Sequence, residues 1–236
     1  MQKIDQTLHS GFFITATDTG IGKTFVSSLL IRTFMKIAPV TYFKPVQTGC
    51  VLNEKGELVA PDFEFVVQAG AKPIAGYSIH VPYRFKTACS PHLACRLDNQ
   101  SISFAHINYC FKILKGDENR SRLVVVEGAG GIYTPLGNAS FMIDLMASLK
   151  LPIILVVSPR LGTLNHTLLS LNALRSHKLS IAGVVMNHSD SAPSDFITAD
   201  NSEFVRESVR SAPFIKVDFN AIPSPSIEAF CRELLR

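Results

Sequence analysis

Gly11-Phe12-Phe13-Ile14-Thr15-Ala16-Thr17-Asp18-Thr19-Gly20-Ile21-Gly22-Lys23-Thr24 sets an apolar strand, at 12–15, directly before a glycine-containing turn that ends in Gly-Lys-Thr. A helical pattern follows over 25–36, with Val26, Leu29, Leu30 and Thr33 on one side. Strand, turn and helix in this order build a phosphate-binding loop. Backbone N–H groups and a helix N-terminus face the anion, Lys23 reaches the β/γ-phosphates, and the Thr24 hydroxyl suits a magnesium ion. The ligand class implied is a nucleoside triphosphate. A bare Gly-Lys-Thr would be weak evidence, and an ordinary tight turn with a surface lysine is the bland alternative. The flanking strand and helix supply the context that the motif requires.

Outward from this stretch, short apolar runs alternate with helical patterns. Strands are expected at 12–15, 40–44, 123–126, 153–157, 181–185 and 214–217, each with almost no polar alternation, as for parallel strands covered on both faces. Helices are expected near 25–36, 62–70, 103–115, 141–149, 163–177, 194–210 and 226–235. This is the pattern of an α/β fold, a doubly wound, mainly parallel sheet with helices on both faces, whose ligands gather at the carboxyl ends of the strands. The 236 residues fit one domain spanning 1–236. The segment 48–61 carries a turn signal, Asn53-Glu54-Lys55-Gly56, and reads as a surface excursion rather than a boundary.

Composition narrows the function. With 47% hydrophobic residues the chain can build a large core and is not disordered. The net charge of +4 comes with no basic block of five or six residues, so no nucleic-acid partner is implied. The longest near-continuous apolar run, 151–157, is far too short to span a bilayer, and the first residues lack the pattern of a secretory signal. Five cysteines without metal-ligand spacing read as reduced thiols. A cytoplasmic, soluble protein with no membrane partner is expected.

Further candidate residues stand at the strand ends. Lys44-Pro45-Val46-Gln47-Thr48-Gly49 follows the second strand; a lysine there is costly to bury without an anionic partner and would point at the crevice of Lys23, although position alone also allows a surface lysine. Glu127-Gly128-Ala129-Gly130-Gly131 follows the third. Its acid could bind Mg²⁺ directly or through water, and its glycines let backbone approach phosphate or substrate. Asp62, after Pro61, reads by default as a helix N-cap, with a second acid near a metal as the alternative. Ser90-Pro91-His92 suits a helix start, and His92 reads as structural. Gly162-Thr163-Leu164-Asn165-His166 is a strand-to-helix turn able to receive a carboxylate. Asn187-His188-Ser189-Asp190 sits where a base would be read. It has the spacing of a guanine reader, but His188 stands in place of that motif's lysine, so adenine is favoured, with Asn187 on the base edge.

Taken together and in order, Thr17–Thr24, Lys44-Pro45-Val46-x-Thr48-Gly49, Ser90-Pro91-His92, Val126–Gly131, Leu161-Gly162-x-x-Asn165-His166 and Ala221-Ile222-Pro223 resemble the dethiobiotin synthetases over most of the chain. The resemblance implies a homodimeric, Mg²⁺- and ATP-dependent ligase that forms the ureido ring of dethiobiotin from 7,8-diaminononanoate and CO₂, with the active site near the subunit interface. It also implies roles. Lys23 and Lys44 would be catalytic, meeting the transferring phosphate and a carbamate. Thr24, Asp62 and Glu127 would hold Mg²⁺. Gly20, Ile21, Gly22, Lys23, Thr24 and Phe25 would bind the phosphates, with Asp62, Glu127, Gly128, Ala129 and Gly130 beside the nucleotide. Asn187, His188, Pro223, Ser224 and Pro225 would surround the base. Thr19, Lys44 and Thr48 would bind substrate, joined by Asn165 from the neighbouring subunit. Two departures stand out: Ala16 where the family often has glycine, and Ala221 where an acid often precedes Ile-Pro.

The main rival is a partitioning-type ATPase switch. Those proteins carry a signature lysine four residues before the glycine of Gly-Lys-Thr, and here that position is Asp18. A cobyrinate-type amidoligase would need a glutaminase domain, which this chain does not show. A non-catalytic nucleotide-binding module would leave Lys44 and Glu127 without a use.

Overall fold

Strands whose residues are apolar on both faces need cover on both faces, and the chain supplies it with a central sheet between two helical layers. The computed structural model describes residues 10–117, 120–137, 139–189, 195–209 and 212–236. The sheet strands are β1 (Gly11–Ala16), β2 (Val40–Phe43), β3 (Leu123–Glu127), β4 (Ile153–Val157), β5 (Ile181–Asn187) and β6 (Phe214–Val217). Their order is β6-β5-β4-β1-β3-β2, and every neighbouring pair is parallel. All six lie where the apolar runs place them. The helices are α1 (Lys23–Phe34), α2 (Pro61–Gln68), α3 (Tyr77–His80), α4 (Pro91–Leu97), α5 (Phe104–Lys115), α6 (Met142–Leu149), α7 (Thr163–Ser176), α8 (Phe196–Val209) and α9 (Pro225–Leu234).

Alternation along β1 shows how the layers are assigned. Phe12, Ile14 and Ala16 face one core with Leu29, Leu30 and Phe34 of α1, Val66 of α2 and Phe230 of α9. Phe13 faces the other, with Ile107 and Leu114 of α5, Leu145 of α6 and Leu174 of α7. Each of these β1 side chains is fully buried, and truncating one such phenylalanine to alanine costs about 3–5 kcal/mol.

From β1 the chain crosses to β2 at the sheet edge, fills the gap with β3, then places β4 on the opposite side of β1. That reversal opens a crevice at the carboxyl end of β1, where ligands of such sheets bind. Three short pairings decorate the frame: Val46–Gln47 with Tyr83–Arg84, Val51–Leu52 with Leu58–Val59, and Pro135–Gly137 with Ser140–Phe141. The second makes the 48–61 excursion an antiparallel hairpin. Its turn is closed by Asn53, whose side-chain oxygen accepts from the N–H groups of Lys55 and Glu57. Among the described residues no helix is long and apolar enough to cross a membrane.

Candidate active site

The loop after β1 leaves the sheet at Thr17 and enters α1 through Gly22, which has φ 93°. A side chain at Gly22 would be strained, and its Cβ would lie 2.2 Å from Nδ2 of Asn187. That amide donates to the Ile21 carbonyl at 2.9 Å, so the end of β5 holds the loop in place. Lys23 curls back over the loop, its Nζ 3.2 Å from the Asp18 carbonyl. Burial, with the nearby Lys44 charge adding to it, lowers the Lys23 pKa to about 8.

Lys44 lies one residue beyond β2. Phe43 is in register with Val126, which brings Lys44 level with Glu127 at the end of β3. Lys44 is 2% exposed. It contacts Asp62 Oδ2 at 2.6 Å, Glu127 Oε1 at 2.7 Å and the Gly128 carbonyl at 3.3 Å. Burial works to lower its pKa, but Glu127 and Asp62 outweigh that and raise it. A lysine buried at this depth is stable as a cation only because two carboxylates meet it.

Asp62 is the second residue of α2, and Ala60 occupies the cap position, so the default N-cap reading does not hold. Its carboxylate turns inward instead. Burial disfavours its charge, yet Lys44, through its charge and its hydrogen bond, holds the pKa below the usual value. Thr24 Oγ1 donates to Glu127 Oε1 at 2.8 Å. Thr24 of α1, Lys44 just beyond β2, Asp62 of α2 and Glu127 of β3 thus form one cluster, buried at Lys44 and Glu127 and half-buried at Thr24 and Asp62, with Lys23 close enough to feel its charges.

Among the described residues no group of three or more His, Cys, Asp or Glu side chains is arranged to hold a metal by itself. Two carboxylates and a hydroxyl around an ammonium nevertheless form an oxygen donor set that already accommodates a cation. Such a set fits a hard divalent ion that draws its other ligands from phosphate and water.

The other candidates are more scattered. Gly128 is buried and donates its N–H to Ile14. Thr19 is exposed and its N–H bonds Asp18 Oδ1. Asn165 and His166 are exposed on the first turn of α7, behind Gly162 with φ 91°. Among the described residues no hydrogen bond ties Thr48 or Asn165 to the lysine–carboxylate cluster. Ser90 and Pro91 do start a helix, α4. Ser224 caps α9 by accepting from Ile227 N–H, and Pro225 is that helix's first residue. Asn187 pairs with Val217 in register, and His188 N–H donates to Val217, so the residues after β5 and β6 share one end of the sheet. Asp190 lies outside the described residues.

A family model described as an AAA domain matches residues 10–217. The chain is 34% identical over 210 residues to the ATP-dependent dethiobiotin synthetase BioD of Thermodesulfovibrio yellowstonii, covering 86% of this chain and 85% of that protein. It is 38% identical over 202 residues to the protein of the same name from Anoxybacillus flavithermus, covering 84% and 86%. The chain belongs to the dethiobiotin synthetase family. Its fold is also that of a chain in the MinC:MinD cell division protein complex of Aquifex aeolicus, with a TM-score of 0.51 over 94% of this chain and 85% of that one. At 11% identity that likeness concerns the fold alone.

This dethiobiotin synthetase family member also carries contacts that motif reading passes over. Ser27 Oγ and Tyr42 OH both donate to Glu127 Oε2, at 2.7 and 2.8 Å. His80, fully buried, places Nδ1 2.6 Å from the Tyr42 carbonyl, and its backbone carbonyl accepts from Lys44 N–H. Two signals for the hydroxyls were present. Thr24 and Ser27 stand three apart on one helix face, and Tyr42 precedes Lys44 by the two-residue period of a strand.

Proposed function

We propose that this chain is an ATP-dependent dethiobiotin synthetase, a single P-loop domain that closes the ureido ring of dethiobiotin on 7,8-diaminononanoate and CO₂. The observation that carries the reading is Lys44 held between Asp62 and Glu127 beside Thr24 and Lys23, in a member of this family. One substrate amine adds to CO₂ and loses a proton, giving a carbamate. A carbamate oxygen then bonds the γ-phosphorus of ATP as the bond to ADP breaks. The second amine attacks the activated carbon, and phosphate departs as the ring closes. These steps need position and charge neutralisation rather than a covalent protein nucleophile.

In this reading the backbone from Gly20 to Phe25 cradles the phosphates, and Lys23 neutralises the transferring group. Lys44 meets the carbamate and phosphate oxygens. Thr24, Asp62 and Glu127 would hold Mg²⁺, which supplies charge neutralisation across the phosphates when bound. Thr19 and Thr48 contact the diamine. A groove of about 660 Å³ beside Thr17–Thr19, walled by Ile132, Tyr133, Leu169 and Ala173, suits its aliphatic chain. Asn187, His188 and Pro223–Pro225 meet the base. The Asn187 amide nitrogen gives one of its two hydrogens to Ile21, while its oxygen, buried and without a partner among the described residues, is an unused acceptor. An acceptor suits the exocyclic amine of adenine and disfavours the carbonyl of guanine.

A second copy of the chain belongs to the proposal. Leu161, 98% exposed, with Leu168, Leu169 and Tyr133, gives the surface around Asn165 an apolar character that a homodimer would cover. Five unpaired cysteines suit the cytoplasm.

Incubation with 7,8-diaminononanoate, bicarbonate, ATP and Mg²⁺, with products identified by mass, tests the reading. Formation of the cyclic urea should require all four components. ATP hydrolysis that ignores the diamine and yields no new product would overturn it in favour of a switch ATPase.

A further inference from the structure

The two oxygens of the Glu127 carboxylate face different neighbours. Oε1 receives Thr24 and Lys44, the groups at the phosphate end of the crevice. Oε2 receives two hydroxyls, from Ser27 and Tyr42, and among the described residues no other partner. We propose that Ser27 and Tyr42 are positioning residues for the metal and phosphate site: by saturating Oε2 they fix the rotation of the carboxylate and leave Oε1 as its one oxygen for a divalent cation. The proposal rests on the reading of Glu127 as the carboxylate that serves that cation.

Both hydroxyls are themselves held. Ser27 is fully buried one turn after Thr24, so α1 delivers two hydroxyls to the two oxygens of one carboxylate. Tyr42 is fixed at both ends. Its OH is on Glu127, and its carbonyl accepts from Nδ1 of His80, which carries the proton because Nε2 accepts from Ile74 N–H. Its ring lies near-parallel to that of Phe63, the residue after Asp62, with centroids 6.1 Å apart. The same tyrosine therefore holds Glu127 directly and packs against the residue that follows Asp62. Burial, reinforced by Glu127, raises the phenol pKa well above its ordinary value.

Solvating a buried carboxylate would need the same two bonds, so stability alone does not test the idea. The discriminating readout is cation affinity. Mn²⁺ is titrated by electron paramagnetic resonance in the presence of a non-hydrolysable ATP analogue, with Glu127→Gln, Tyr42→Phe, Ser27→Ala and Ser27→Thr beside the parent. Tyr42→Phe and Ser27→Ala should each weaken Mn²⁺ binding by about tenfold or more, while affinity for the analogue without metal holds. Ser27→Thr, which keeps the hydroxyl, should recover most of the loss. If Glu127→Gln loses Mn²⁺ but the folded Tyr42→Phe and Ser27→Ala proteins bind it like the parent, the hydroxyls are structural and the proposal falls. If Glu127→Gln itself binds Mn²⁺ normally, the underlying reading of Glu127 fails and takes the proposal with it. Should one hydroxyl variant not fold, the other decides, with thermal melts identifying which is usable.

Discussion

At the end of the crevice proposed to hold the phosphates, Glu127 alone accepts from Thr24, Ser27, Tyr42 and Lys44, and Lys44 extends the network to Asp62. At the end proposed to hold the base, Asn187 makes, among the described residues, one side-chain hydrogen bond, to the loop, and leaves its oxygen buried and unpaired. Charges at the first end are matched within the protein, and each contact depends on the others. The second end is a shaped edge with few commitments. Substitutions should therefore be costly and coupled at the phosphate end, and mild and separable at the base end.

The largest effect is expected from Lys44→Met. It leaves the fully buried Glu127 and the half-buried Asp62 facing each other without their cation. Loss of one partner from a buried ion pair costs about 3–5 kcal/mol, and loss of a charge aimed at the reacting group costs about 10³-fold in rate. Urea unfolding and the ring-forming assay should both show it. Near-parental turnover would remove Lys44 from the chemistry and erase the contrast between the two ends.

Gly22→Ala strikes the point where the ends are joined. The new methyl would occupy the place of the Asn187 amide and impose φ 93° on an alanine. Strain of about 1–3 kcal/mol, released by shifting the loop, should weaken ATP binding by roughly 10- to 100-fold. Calorimetry reads this directly. An unchanged Kd would mean that the loop and Asn187 are not mechanically linked.

How much of this was legible in the chain follows the same divide. The six sheet strands were readable because burial on both faces forces continuous apolar runs. Lys23, Lys44 and Glu127 were readable because parallel strands bring their carboxyl ends to one edge. The short helix α3 and the Val46–Gln47 pairing with Tyr83–Arg84 were not. They are too short for periodicity and are held by non-local bonds, such as Lys44 N–H to His80 and Tyr83 N–H to Pro45. Asp62 was half legible: Pro61 marked the helix start, but only the fold shows the carboxylate turned to Lys44. Ser27 and Tyr42 look like ordinary helix and strand residues until β3 is placed between them.

A smaller effect is expected from pH. Lys23, held near a pKa of about 8 mainly by burial, is charged at neutral pH and loses its proton above that value. Bound phosphate favours the charged form, so ATP binding should take up protons near pH 8 and weaken as pH rises. One unit above the midpoint, only about one molecule in eleven retains the charge, which lowers affinity about tenfold relative to pH 7. Titrations in buffers of different ionisation enthalpy would show the uptake. Release of protons instead would mean that Lys23 does not face the phosphates.

The smallest effect tests the base end itself. Asn187→Ala removes the acceptor and also leaves the Ile21 carbonyl without its donor, a loss worth about 1 kcal/mol for each bond. The loop bond affects every nucleotide equally, because all of them share the phosphates. The acceptor affects only a base that presents an amine at its six-position, as adenine does and guanine, with a carbonyl there, does not. ATP and GTP affinities should therefore both fall, but ATP by about fivefold more, which narrows the preference rather than abolishing binding. Equal losses for the two nucleotides would assign Asn187 wholly to the loop, and the base would then have to be read by His188 or the Pro223–Pro225 turn. A loss confined to ATP would show the opposite: that the loop stands without its latch, and that the two ends of the crevice are independent after all.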